Sequence, residues 1–235
     1  MTISNRPGRP RATPENGSSL TGREQILDAA AALFTELGFS GTSTRAIADR
    51  VGIRQQSIYY HFAGKDEILI ELLTDSVRPS IEFVTGIADL VPDEATAAAA
   101  LFALASIDAQ TLRKTPHNIA TLYLLPEVQA APFDAFRAQR AQLRDTYGRL
   151  GAAAAHPAVA ASLTTERIGL LLMQLAEIVI ELRREGESDT EDDATIASSC
   201  LRVLGLTSAE IAAARTEAAA IIAGYAARQS LTPAR

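Results

Sequence analysis

The sequence predicts an all-α protein, with an N-terminal three-helix helix-turn-helix unit followed by a larger helical domain. Apolar residues recur three and four apart along most of the chain, the period of an amphipathic helix. No stretch shows the two-residue alternation of a half-buried strand; alanine-rich periodic segments follow one another with Pro or Gly between them. At 235 residues and 47% hydrophobic the chain can bury a real core, and the first unit leaves about 165 residues for a second domain.

Residues 1–20 read as a disordered basic arm: NRPGRPRATPENGSS is rich in Pro, Gly, Ser and Arg and has no apolar period. Its Gly8, Arg9, Pro10, Arg11 core is similar to the AT-hook tripeptide that enters narrow minor grooves. A plain solubilising tail is the competing reading.

Residues 21–66 carry the densest signal. Thr21 and Glu24 stand at capping-box spacing ahead of a helix whose apolar face is Ile26, Leu27, Ala30, Leu33, Phe34 and Leu37, and Gly38 ends it. A second, brief helix sets Ile47, Ala48 and Val51 against Arg45, Asp49 and Arg50, and Gly52 breaks it. The third, from about Arg54 to His61, offers only Ile58 and Phe62 as obvious core anchors. Gln55, Gln56, Ser57, Tyr59, Tyr60 and His61 are left facing outward or partly outward, although Tyr59 has core packing as its alternative. Two helices about a short glycine turn make the DNA-reading layout. The side chains suit it: glutamine amides pair bidentately with adenine edges, and Ser, Tyr and His reach bases or phosphates. Lys65, after Gly64, is placed to hold a phosphate with free backbone N–H groups at a helix start.

This segment resembles the N-terminal domain of tetracycline-repressor-like (TetR) transcriptional regulators. The likeness rests on Ala29 to Phe39, on the TSTRAIADRVGI run from Thr42 to Ile53, and on the SIYYHFAGKDEIL run from Ser57 to Leu69. The resemblance implies a recognition helix over residues 54–61, with Thr44 and Arg45 adding contacts from the preceding helix. It assigns DNA contact to Arg45, Gln55, Gln56, Ser57, Tyr59, Tyr60, His61 and Lys65. It also implies a homodimer, a small-molecule effector of unknown identity, and repression as the usual outcome. One residue departs from the pattern: Arg54 stands where the family places a Ser or Thr cap. An arginine there opposes the helix dipole, so it either reads guanine or grips phosphate, or it is simply solvated.

Charge divides along the same line. Residues 1–65 hold eight Lys or Arg against five Asp or Glu, while the rest hold fourteen against twenty-three. The positive end is the one expected to meet a polyanion.

Residues 67–230 read as a ligand-binding and dimerisation domain, with helices near 65–88, 93–114, 117–125, 132–150, 162–185, 191–204 and 208–228, the first bent at Pro79. In the 162–185 helix, Gln174, Glu177 and Glu181 make one narrow polar stripe opposite a wide apolar arc. A four-helix dimer interface is expected from that helix and the last one, through Leu171, Leu175, Ile178, Leu182, Ile211, Ala218, Ile221 and Ile222. An effector pocket is expected from Phe83, Phe102, Tyr123, Phe133 and Phe136 with Gln110, Arg113, His117 and Asn118 as polar groups. Core packing is the competing reading for each of these.

Other classes find little support. No nucleophile with a base, metal-type His spacing or phosphate loop is present, so no enzyme, metal or cofactor is expected. The polar start and the interrupted Ile168 to Leu182 run lead us to expect a cytoplasmic protein without a membrane anchor. The single cysteine, Cys200, sits among apolar residues as core. The alternative to a regulator is a helical ligand-binding or scaffold protein with a vestigial head.

Overall fold

The computed structural model describes residues 20–87 and 96–231; the expected arm, apart from Leu20, and residues 93–95 of the expected 93–114 helix lie outside them. Helices α1 (Gly22–Leu37), α2 (Thr44–Val51) and α3 (Gln55–His61) form the head. Both capping-box bonds are made at the start of α1: Thr21 N donates to Glu24 Oε2 at 2.7 Å and Glu24 N to Thr21 Oγ1 at 3.3 Å. Gly52 ends α2 at φ 80°, and its N–H reaches the carbonyls of Ala48 and Asp49. Ile26, Phe34, Ile47, Ile58 and Phe62 are fully or almost fully buried and close the head core. Thr42, also buried, donates to the carbonyls of Leu33 and Gly38, which pins the α1–α2 turn.

Helix α4 (Lys65–Gly86) runs unbroken from head to body, past Pro79. Its first half is tied to α1 by Arg23 and Glu71; Ser76 and Ser80, further along, are buried in the body. The body is organised round α5 (Ala97–Lys114), which packs against α4, α6 (Asp134–Ala154), α8 (Thr165–Glu185), α9 (Asp192–Val203) and α10 (Ser208–Leu231). Its buried alanines, including Ala99, Ala100, Ala103, Ala105 and Ala109, let these neighbours approach closely. Short α7 (Pro157–Ala160) links α6 to α8. Where α6 and α8 cross, Gly148 and Gly169 face one another: a Cβ on Gly148 would lie 2.6 Å from the Thr165 carbonyl oxygen, and one on Gly169 2.5 Å from that of Arg144.

Two expectations are corrected here. Residues 117–125 are not a continuous helix but part of a chain of 3-10 turns, Pro116–Leu122, Pro126–Gln129 and Ala131–Phe133. Pro116, Pro126 and Pro132 each lack the N–H that would propagate a helix, and His117 and Asn118 take φ of 56° and 51°. The second correction concerns the dimer surface. Helix α10 packs on α5 and α9 of its own chain, so Ile211 and Ala218 are 6% and 1% exposed and Ile221 and Ile222 half-buried. On α8, by contrast, three apolar side chains are left open, Leu170, Leu171 and Ile178 each being more than 40% exposed. Leu175 and Leu182 flank them, half-buried.

Candidate nucleic-acid interface

Of the seven residues of α3 only Ile58 is buried, and it anchors the helix to the head core. Gln55, Gln56, Ser57, Tyr59 and Tyr60 are exposed, and His61 is half-buried with its ring edge-on to Tyr60 at 5.0 Å. Tyr59 therefore faces outward at 54% exposure and Tyr60 at 86%, whereas Phe62 is core. Thr44, the first residue of α2, organises part of this face: the Gln55 amide donates to its Oγ1 at 2.9 Å, and the Tyr59 hydroxyl lies 3.3 Å from the same oxygen. One amide hydrogen of Gln55 is thus fixed, leaving the rest of the group to pair outward.

Arg54 occupies the N-cap of α3 with extended backbone and no capping bond from its side chain. Its backbone carbonyl accepts from Ser57 N at 2.8 Å, so the turn closes without the usual hydroxyl. Arg45 lies on the outer face of α2, 3.9 Å from Asp49, an exposed pairing that leaves the guanidinium available. Arg50 is engaged with Glu36. Lys65 is placed differently from the expectation. Its Nζ donates to the carbonyls of Phe39 and Thr42 at 2.9 and 3.2 Å and sits 4.3 Å from the centre of the Phe39 ring. The ammonium therefore ties the start of α4 to the α1–α2 turn.

A family model for bacterial regulatory proteins of the tetR family matches residues 26–72. The crystal structure of Mycobacterium smegmatis AmtR superposes with a TM-score of 0.74 at 40% identity, covering 87% of this chain and 97% of that one. The chain belongs to the tetR family.

Within this family, the HTH-type transcriptional repressor KstR2 of Mycobacterium tuberculosis (strain ATCC 25618 / H37Rv) is 49% identical over 51 residues, 22% of this chain and 26% of KstR2. The class D tetracycline repressor of Escherichia coli is 38% identical over 55 residues, 22% of this chain and 25% of the repressor. The chain thus spans about a quarter of the length of the curated relatives it matches. The sequence matches to these repressors extend over 51 and 55 residues, whereas the likeness to AmtR covers 87% of the chain.

In the body of this tetR-family chain the nine residues expected to line one pocket are dispersed. Phe83, Phe102, Phe133 and Phe136 are buried, Phe83 edge-on to Tyr225 of α10 at 5.1 Å. Gln110 is exposed on α5. Arg113 forms a two-pronged ion pair with Asp193 of α9, His117 bonds Asp28 of α1 at 2.7 Å, and Asn118 donates to the Ile180 carbonyl at 2.9 Å. Arg113, His117 and the Asn118 amide nitrogen have structural partners, the Asn118 amide oxygen is buried without one among the described residues, and the aromatics fill the core. Tyr123 and Phe136, with rings 5.4 Å apart, also line an outer groove of about 200 Å³ beside α8.

The body's buried polar chemistry joins Tyr123 and Glu177 to Ser76, Ser80, Asp108, Arg140 and Tyr147, five residues that sequence reasoning missed. Asp108 of α5 accepts from Ser80 and Tyr147, and burial pushes its carboxyl up to about 6. Tyr123 meets Ser76 at 2.7 Å, and Arg140 stacks over the Tyr123 ring while pairing with Glu177. The signal available was a lone aspartate inside the apolar run of α5. Cys200 is fully buried, its thiol pushed up to about 12 by that burial. Among the described residues no group of three or more His, Cys, Asp or Glu could hold a metal ion, and no helix is long and apolar enough to cross a membrane.

Proposed function

We propose that this chain is a ligand-responsive transcriptional repressor, acting in the cytoplasm as a homodimer that binds a palindromic operator through α3 of each subunit. The observation that carries this reading is the outward face of α3. Six polar or aromatic side chains from Arg54 to Tyr60 surround a single buried anchor, on a head rigidly closed by its own core. Such a face has no structural use in the isolated chain, and its donors and acceptors suit base edges. A vestigial head would have no reason to keep it.

Dimerisation supplies the geometry, since two recognition helices about 34 Å apart read one face of a palindrome. The exposed Leu170, Leu171 and Ile178 of α8 supply the contact surface that supports it. A small molecule that prefers a different head spacing then releases the operator by population shift. KstR2 and the class D tetracycline repressor, whose names describe repressors, are 49% and 38% identical to this chain over 51 and 55 residues.

Fluorescence anisotropy with duplex from upstream of the chain's own gene tests the reading. Specific binding should exceed that to random duplex by at least about a thousandfold. Tyr60→Ala should lower operator affinity by about tenfold or more with an unchanged thermal midpoint. Equal affinity for operator and random duplex would overturn the proposal.

A further inference from the structure

The His117–Asp28 bond joins head and body, and it stands at the edge of a cleft that the DNA-binding reading does not use. The cleft, about 410 Å³, opens between α1, α4 and the Pro116–Leu122 turn. Leu27, Leu72 and Ile119 give it apolar walls, and Glu24, Asp28 and Asp75 stand along it. That volume falls in the range of small-molecule sites; three carboxylates line it, with Ser76, Thr115 and His117 as the other polar groups.

We propose that this cleft binds a small organic cation carrying an aromatic or branched aliphatic body, and that its occupation changes how the head is held. The inference rests on the regulator reading and locates the effector site between the moving parts rather than inside the body.

Charge complementarity selects the occupant. The nearby cations are committed: Arg23 to Glu71, and Arg78 to Asp75 from the same helix face. His117 bonds one oxygen of Asp28. Glu24 caps α1 and offers its remaining lone pairs. Burial raises the Asp75 carboxyl above its usual range, with Arg78 opposing the effect, so an ammonium brought into the cleft stabilises a carboxylate that desolvation disfavours. An apolar body on the same molecule covers Leu27, Leu72 and Ile119, which a hydrated metal or inorganic cation would leave wet.

Occupation bears directly on DNA binding. An ammonium on Asp28 competes with the His117 ring for that carboxylate, and the bond it displaces ties α1 to the body. His117 and Asn118 both sit at positive φ, a conformation that non-glycine residues leave readily once their anchoring contacts go. The same ligand touches α4 at Leu72 and Asp75, within the helix shared by head and body.

Isothermal titration of the full chain with 1-naphthylmethylamine, and with 1-naphthalenemethanol and 1-naphthoate as neutral and anionic analogues, tests the site. The amine should bind at one per chain, at least tenfold tighter than either analogue. Asp28→Asn and Asp75→Asn should each weaken it at least fivefold without altering the circular dichroism spectrum. Equal binding of the alcohol, no binding of the amine at millimolar concentration, or indifference to both substitutions would overturn the proposal. So would amine binding confined to a chain truncated before Leu20, which would give the cleft to the chain's own upstream segment. Operator anisotropy, first without and then with saturating amine, separates the two readings. Absence of operator binding defeats the regulator reading while the titration still judges the cleft; intact operator binding that moves less than threefold on saturation defeats the coupling.

Discussion

The Tyr147 hydroxyl on α6 donates to Asp108 Oδ2 on α5 at 3.0 Å, with both side chains buried. The second carboxylate oxygen accepts from Ser80 of α4 at 2.7 Å, so one acid joins three helices, including the one that carries the head.

That acid makes stability depend on pH. Burial, reinforced by Glu177, raises the folded carboxyl from 3.8 to about 6, against the hydrogen bonds from Ser80 and Tyr147 and the charge of Arg140. Over that interval the folded chain keeps a proton that the unfolded chain has lost. The contribution is therefore fully present below the unfolded value and is lost as pH rises through about 6, amounting to roughly 3 kcal/mol. Urea unfolding should show this loss between about pH 3.5 and about pH 6.5. Asp108→Asn, which does not titrate, should remove it; an unchanged profile in the variant would assign the dependence elsewhere.

Arg54→Ser separates helix stability from DNA reading. A serine at the N-cap can accept the N–H bond that Arg54 leaves unmade, which is worth about 0.5–2 kcal/mol. The variant should melt higher and bind operator about tenfold more weakly, with relaxed preference at one base pair. Retained affinity and preference would mark Arg54 as a solvated side chain.

Lys65→Met should act on the head's architecture. Losing a charged donor to the carbonyls of Phe39 and Thr42 costs about 1.5–3 kcal/mol. Because the ammonium already has these partners, the slope of log affinity against log salt should stay within about half a unit of the parent's, whereas a lost phosphate contact would reduce it by about 0.9.

Leu171→Glu combined with Ile178→Glu should halve the mass measured by light scattering at micromolar concentration, since both positions lie open on α8. Far-ultraviolet dichroism should not change. A dimer that survives both charges would place the contact surface elsewhere.

The head was legible in the sequence because its determinants are local. The Thr21–Glu24 box, the stops at Gly38 and Gly52, and the single anchor Ile58 each act within one or two helical turns. The body was less so. Its decisive contacts span long separations: Ser80 with Asp108, Asp108 with Tyr147, and Arg140 with Glu177, residues 28, 39 and 37 apart. No periodicity reports such pairings. The same limit explains the dimer helices, since an apolar stripe on α10 reads alike whether it meets α5 or a second subunit. Glu177, taken as part of a solvent stripe, is drawn inward by Arg140, and that leaves Gln174 on the outer side with Leu171 and Ile178.

The crossing at Gly148 and Gly169 has a mechanical consequence. A carbonyl oxygen stands where each missing Cβ would be, so there is no cushion of side chain along which α6 and α8 could slide. The two helices travel as one slab, and the open leucine face of α8 travels with them. In the proposed dimer, a signal from the body reaches the head through α4 and the proline-broken turns, which both pack on α1, and the slab serves as the fixed datum from which the distance between paired reading heads is set.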